Sequence, residues 1–179
     1  MLNYKKISLG LLLLLVLASC DSNFDKETEI KNDVISLIQD EYSQIEKNTP
    51  NLTKIEYKDV GLYRDINTNY VEESGDYAQL GMINLTYYVN NNDINKIVAV
   101  FDSQKVKGLS EYFYKKGKLI FVQKIKTSNN PNDALTTKLY FKNNNLLQCG
   151  DKKIVTSVCK KEATNVLRDA IVYYQYRKD

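Results

Sequence analysis

Three acidic residues in one short stretch, Glu72, Glu73 and Asp76, are the side chains of this sequence that could most readily do chemistry. A pair of carboxylates can hydrolyse a glycosidic bond, with one group as acid and the other as base or nucleophile. These residues, however, surround Ser74 and Gly75 in a polar stretch that predicts a surface loop. Neighbouring acids in such a loop are usually solvated. We therefore predict that the protein is not an enzyme, with a carboxylate-based hydrolase as the alternative from another class.

Other kinds of site find little support in the composition. The sequence contains no histidine, which excludes His-based triads, His general bases and His metal ligands. It also lacks a phosphate-binding glycine loop, zinc-type cysteine spacing and a nucleophile elbow. If Lys5 and Lys6 are removed with a leader, the 25 basic residues fall to 23 against 22 acidic ones, too small an excess to favour nucleic acid. We expect no cofactor, no metal ion and no nucleic-acid partner.

Residues 1–20 follow the pattern of a secretory leader. A short basic start precedes an apolar run from Ile7 to Ala18, which is too short to span a bilayer as a stable helix. The run ends in Leu17-Ala18-Ser19-Cys20, which resembles the lipobox of bacterial lipoproteins. The resemblance implies that the Cys20 thiol receives a diacylglyceryl group, that the leader is cut before it, and that several acyl chains anchor the protein. An ordinary leader with a chance cysteine is the alternative.

The lipobox divides the chain into three parts. Residues 1–19 are the predicted lipoprotein signal peptide, residues 20–29 a lipidated tether, and residues 30–179 a single α+β domain. Acidic residues soon after Cys20 resemble the surface-export signal of some Gram-negative lipoproteins. We expect a membrane-anchored lipoprotein of a Gram-negative envelope, in the outer membrane, with periplasmic and surface orientations both open.

The two remaining cysteines, Cys149 and Cys159, form an even pair in an oxidising compartment. A disulfide between them would join the last predicted strand to the start of the last predicted helix. Closing so short a loop would stabilise the fold by about 2–3 kcal/mol. Two buried thiols or a redox pair are the alternatives, although the spacing differs from Cys-x-x-Cys.

Two amphipathic helices are predicted at the ends of the domain. Apolar residues recur at steps of three and four over residues 26–47 and again over residues 160–176. The first helix should end before Asn48-Thr49-Pro50, and Thr156 or Ser157 should cap the second. Between the helices, residues 53–66 mix β-branched and aromatic residues with charges, which is typical of an edge strand or a half-exposed strand.

A degenerate repeat occupies the middle of the chain. Residues 87–94 (YYVNNNDI), 112–119 (YFYKKGKL) and 139–146 (LYFKNNNL) align without a gap. In each copy, apolar residues lead into a four-residue polar tip whose third position is Gly or Asn, the residues that take a positive φ at little cost. Three hairpins in series predict an antiparallel β-meander of about six strands, flanked by the two helices.

The central hairpin yields a candidate binding surface. If Lys116-Gly117 forms a two-residue turn, Tyr114 opposes Leu119 and Phe113 opposes Ile120, and both faces of the hairpin carry large apolar groups. One face can pack on the helices, and the other is either covered or left as an aromatic surface. The candidate residues for that surface are Tyr112, Phe113, Tyr114, Phe121 and Tyr140. Structural packing of the same residues is the alternative.

Two of the repeats resemble a known type of sequence. Residues 111–121, EYFYKKGKLIF, resemble the YYFKNGKLIF unit of small Gram-negative lipoproteins, and residues 138–146, KLYFKNNNL, resemble its weaker second copy. Both are more distantly similar to the Tyr-x-Asn-Gly-Lys-Leu hairpins of antitoxin-like repeat proteins. The resemblance implies a fold and a location but no activity.

These features together favour a lipid-anchored, non-catalytic binding module of the envelope with a protein or glycan ligand. An immunity or inhibitor lipoprotein that blocks an envelope-active enzyme, such as a muramidase, is the alternative.

Lipidation is tested directly by Cys20→Ala. Because the acyl chains supply the anchor, we expect the variant to leave the membrane fraction and appear in the soluble fraction after cell lysis. Immunoblots of the two fractions measure this, with Cys149→Ala as the matched cysteine control. Retention of the Cys20→Ala variant in the membrane fraction would contradict the lipid anchor.

Overall fold

The computed structural model describes residues 29–65, 77–102, 107–127, 134–150 and 155–177. The chain divides into two compact units, Met1–Leu37 and Ile38–Asp179. In the first unit, the described residues are 29–37, which are the start of helix α1 (residues 29–48). The acidic cluster Glu72, Glu73 and Asp76 and the predicted lipidation site Cys20 lie outside the described residues.

The second unit is a seven-stranded antiparallel sheet with a helix at each end of the sequence. A 3-10 turn, Thr49–Asn51, ends α1 where Pro50 was expected to stop it. The remaining elements are β1 Thr53–Asp65, β2 Tyr77–Asn90, β3 Asp93–Asp102, β4 Lys107–Lys115, β5 Lys118–Thr127, β6 Leu135–Lys142, β7 Asn145–Cys149 and α2 Ser157–Tyr176. The strands follow one another in sequence order, so the predicted α+β meander is confirmed, with β1 as a seventh strand at its edge.

The three repeats form the hairpins β2–β3, β4–β5 and β6–β7. Both central residues of every turn have a positive φ: Asn91 46° and Asn92 75°, Lys116 52° and Gly117 71°, Asn143 51° and Asn144 63°. Two successive residues in this region give a type I′ turn, whose twist matches that of the flanking strands. Because turns alternate between the two ends of a meander, all three lie at one end of the sheet, which we call the tip end.

Each hairpin also contains a one-residue bulge that the repeat pattern did not predict. Tyr114 pairs with Leu119 as expected, but Phe113 pairs with Phe121 instead of Ile120. Ile120 is therefore the extra residue of the bulge, and Tyr112 pairs with Val122. The other two hairpins have the same register shift after the turn, with Asn95 and Leu147 as the extra residues.

Helix α2 packs on one face of the sheet and is held there by apolar and polar contacts. Its buried residues are Ala163, Val166, Ala170 and Tyr173. Tyr87 donates a hydrogen bond from its hydroxyl to the Tyr173 carbonyl at 2.7 Å, and Tyr114 donates to the Ala170 carbonyl at 3.1 Å. Burial raises the pKa of both tyrosines, which keeps each hydroxyl protonated and able to donate.

The start of α2 is fixed in two ways. Thr156 caps the helix, and its hydroxyl oxygen accepts a hydrogen bond from the Cys159 amide at 3.3 Å. Cys159 is also bonded to Cys149 at the end of β7, with 6.0 Å between the two Cα atoms. This disulfide joins the same pair of cysteines that the sequence predicts to be bridged.

The opposite face of the sheet contains a buried cation. Lys96 is only 4% exposed, and its Nζ lies 2.7 Å from Glu46 Oε2 of α1 and 2.8 Å from Glu111 Oε1 of β4. The ammonium group also lies 5.0 Å from the ring centroid of Phe113. Burial by itself lowers the pKa of Lys96, but the hydrogen bonds and charges of Glu111 and Glu46 outweigh it, and the pKa is raised. Lys96 thus connects α1 to the sheet as a charged group.

Residues 38–48 of α1 cover the aromatic residues around this cation. Tyr42 stacks on Phe121 with ring centroids 4.2 Å apart, and contacts Phe113 edge-on at 5.7 Å. Gln39 Nε2 lies 3.4 Å from the hydroxyl oxygen of Tyr140. The helix therefore presents both an aromatic ring and polar groups to this face of the sheet.

Glu111→Gln tests how much the buried cation depends on its partners. The change removes the less exposed of the two negative charges, so Lys96 loses compensation in a desolvated position, and we expect the free energy of unfolding to fall by about 1–3 kcal/mol. Urea unfolding followed by circular dichroism measures the change. Glu46→Gln is the control, because Glu46 is 51% exposed and should cost less than about 1 kcal/mol. Equal effects of the two variants would contradict this account.

Candidate functional site

The five aromatic residues predicted to form a binding surface are all buried. Their exposed fractions are 1% for Tyr112, 2% for Phe113, 3% for Tyr114, 1% for Phe121 and 3% for Tyr140. They also do not share a face. Because side chains alternate along a strand, Tyr112 and Tyr114 lie in the core below α2. The other face, against which Tyr42 of α1 packs, carries Phe113, Phe121 and Tyr140.

The prediction of an exposed aromatic surface was therefore wrong, and packing accounts for these residues. Each of these aromatic residues is covered by a helix, two of them by α2 and three by residues 38–48 of α1. Tyr42 of α1, for example, stacks on Phe121.

Exposed lysines gather instead at the tip end of the sheet. Two neighbouring hairpin tips carry them, and we call the set of Lys115, Lys116, Lys118 and Lys142 the tip surface. Lys115 forms an ion pair with Glu41 of α1, and Lys118 Nζ lies 3.4 Å from Asn143 Oδ1 of the adjacent tip. The Lys118 contact connects the two tips, and the Lys115 pair connects one of them to α1. Since only one of the four lysines is in an ion pair with a carboxylate of the described residues, the tip surface keeps a net positive charge.

Lys116 stands in an unfavourable backbone conformation. Its φ is 52° at the first central position of the turn, where the other two hairpins have Asn91 and Asn143. Asn and Gly take this conformation more readily than a residue with a long side chain. The strain is of the order of 1 kcal/mol. Glycine at the next position, Gly117, takes its φ of +71° without strain, and a Cβ there would lie 3.2 Å from the Tyr174 hydroxyl, close enough to require a small shift of that side chain.

Two concave regions flank α2. A groove of about 220 Å³ lies beside the tips, between Leu119 and the helix residues Leu167 and Ile171. A second one, which we call the α2 cleft, has a volume of about 250 Å³ and is lined by Gly108, Ser110, Lys126 and other residues. The α2 cleft is the more distant of the two from the tip surface, because its strand residues lie toward the opposite ends of β4 and β5.

An ion pair lies beside the α2 cleft, through Lys124, which is one of the lining residues. Lys124 Nζ lies 2.5 Å from Glu162 Oε1, and both side chains are largely shielded from solvent. Burial of Glu162 disfavours its charged form, but the hydrogen bond and charge of Lys124 outweigh this and hold its pKa below the ordinary value of 4.5. The pair ties α2 to β5.

Within the residues that the structure describes, no group of three or more acidic or cysteine side chains is placed to hold a metal ion. No helix there has the length and the apolar character needed to cross a membrane.

Comparison with protein-family models, with curated proteins and with solved structures finds no match for this chain. Its function is therefore inferred from its own residues.

The Lys124–Glu162 pair predicts a pH dependence of stability. Because the folded pKa of Glu162 lies below its unfolded value, the charged carboxylate contributes stability above pH 4.5, and this is lost as the pH falls through the folded pKa. Urea unfolding measured at a series of pH values below 4.5 gives the free energy of unfolding at each pH. As the pH falls, this free energy should decrease less steeply for Glu162→Gln than for the native chain. Lys124→Gln should flatten the curve in the same way. If the free energy of unfolding of both variants falls with pH as steeply as that of the native chain, the Lys124–Glu162 pair is not the source of the pH dependence.

Proposed function

We propose that this chain is a lipid-anchored, non-catalytic binding module of the envelope, which recognises an acidic protein or glycan through the tip surface. The observation that carries the proposal is the position of Lys115, Lys116, Lys118 and Lys142 on two adjacent hairpin tips. Positive charges grouped at one end of a domain attract and orient a negatively charged partner.

The rigidity of the tips supports this reading. Their type I′ turns continue directly into strands, and the sheet is packed on one face by α2 and on the other by residues 38–48 of α1. A surface that is already ordered loses little conformational entropy when it binds. The tips can therefore act as fixed points of contact.

The anchor suits such a role. Lipid on Cys20 and a tether over residues 20–29 would hold the domain at a membrane. A domain confined to a membrane surface meets other envelope components at a raised effective concentration. Modest affinity at the tip surface is then sufficient for function.

Lys116 favours one specialised form of this function, an inhibitor of an envelope-active enzyme. It is an exposed cation at the extremity of a hairpin, and it is kept in a conformation that Asn would adopt more easily. Enzymes that cleave glycosidic bonds expose a pair of carboxylates in a cleft. A protruding lysine complements such a pair in charge and in shape.

Charge reversal at the tips tests the proposal. The Cys20→Ala chain, which carries no lipid to bind by itself, is incubated with isolated Gram-negative envelopes and sedimented. Lys116→Glu combined with Lys118→Glu should weaken binding about tenfold or more, because two attractions become repulsions. Lys160→Glu combined with Lys161→Glu, a pair of exposed lysines on α2, is the matched control and should bind as the native chain does.

The outcomes separate the forms of the proposal. Binding that disappears after protease treatment of the envelopes identifies a protein ligand, and binding that survives identifies a glycan. An enzyme that co-purifies with the native chain and loses activity on binding identifies an inhibitor. Equal binding by the tip variant and the α2 control overturns the tip surface as the recognition site.

A further inference from the structure

The floor of the α2 cleft consists of two cross-strand rows in which β4 contributes a small residue, Gly108 or Ser110. One row runs from Phe101 of β3 through Gly108 of β4 to Lys126 of β5, and the next runs from Ala99 through Ser110 to Lys124. Residues aligned in this way point to the same face of the sheet. That face is the one on which α2 packs.

A change in side-chain size along β4 creates the depression. The row that α2 covers contains Ile97, Tyr112 and Val122, which are large and almost completely buried. The next two residues of β4 on this face, moving away from the tip end, are Ser110 and Gly108. Ser110 has a small side chain and Gly108 has none. The sheet surface therefore drops away beside the helix, with Tyr173 of α2 as the opposite wall.

Gly108 has no packing reason to be glycine. A Cβ built at this position would meet only the Ile125 carbonyl oxygen, at an ordinary 3.9 Å. Its φ also lies outside the left-handed region, unlike that of Gly117 and Gly150. Glycine inside a strand weakens the strand, and it often marks a place where a ligand approaches the backbone closely.

The charged residues that line the cleft, among those the structure describes, lie at different ends of it. Lys124 is paired with Glu162 at 2.5 Å. Asp169 of α2 lies at the Tyr112 end, where burial raises the pKa of Tyr112 and the charges of Tyr173 and Asp169 add to the rise. Lys126 lies at the end of the floor beside Gly108 and is exposed. Its ammonium group can reach an anionic group at the mouth of the cleft, while Phe101 and Ile83 supply apolar walls.

We propose that the α2 cleft binds a small organic anion, with a flat apolar body on Gly108 and Ala99 and its negative group at Lys126. The volume of about 250 Å³ is slightly below the roughly 300–1,000 Å³ of drug-sized sites. It fits a molecule of the size of a bicyclic aromatic acid. This site is separate from the tip surface and does not depend on the function proposed for it.

Binding of 2-naphthoate to the full chain tests the site. Titration followed by ¹⁵N–¹H NMR should shift the amides of Gly108, Ser110 and Lys126, and not those of the hairpin tips. The neutral analogue 2-naphthamide should bind at least threefold more weakly, because it makes no ion pair.

Variants then assign the two parts of the cleft. Gly108→Val fills the floor with a residue suited to a strand and should abolish binding, with circular dichroism to confirm the fold. Lys126→Gln, on an exposed side chain, should weaken 2-naphthoate about threefold to fivefold and leave 2-naphthamide unchanged. Lys138→Gln, on the opposite face of the sheet, is the control and should leave both affinities unchanged. Naphthoate binding that is absent, or unaffected by both Gly108→Val and Lys126→Gln, overturns the proposal.

Discussion

Both faces of the sheet carry large apolar side chains, and the rest of the structure depends on that constraint. A sheet of this kind is stable in water only if each face is covered. The chain meets the requirement with one helix from each end of the domain sequence: α2 on the side of Tyr87, Tyr112 and Phe141, and residues 38–48 of α1 on the side of Phe113 and Phe121. The tip surface and the α2 cleft lie outside the areas of the sheet that these helices cover.

The two helices are attached by different physical means. Helix α2 has an apolar stripe, two buried tyrosine hydrogen bonds and a disulfide. The attachment of α1 over residues 38–48 instead combines the Tyr42 stack with the ion cluster of Lys96. A buried charge that loses one of its partners is strongly destabilising. Lys96 therefore makes the contact between Glu46 of α1 and the sheet dependent on charge as well as on packing.

The sequence predicted the elements well and their side-chain environment less well. Periodicity located both helices, and the turn residues located all three hairpins, because these signals are local. The bulges at Asn95, Ile120 and Leu147 leave no compositional mark, and each one reverses the faces of the residues after it. The burial of Lys96 has no local signal in the sequence, since its partner Glu46 lies 50 residues away on another element. The α2 cleft depends on small residues becoming neighbours across strands, which only the register reveals.

The length of α2 has a consequence for how many hairpins this architecture holds. The helix begins beside β7, through Cys159, and ends beside β1, where Tyr176 packs edge-on against Tyr57 at 5.4 Å. Its 20 residues at about 1.5 Å each span about 30 Å. Seven strands at about 4.8 Å spacing have nearly the same width, about 29 Å. An additional hairpin would leave bare sheet beyond the end of the helix, and one fewer would leave helix without sheet. The length of α2 therefore matches the width of a sheet that is built from one edge strand and three repeats.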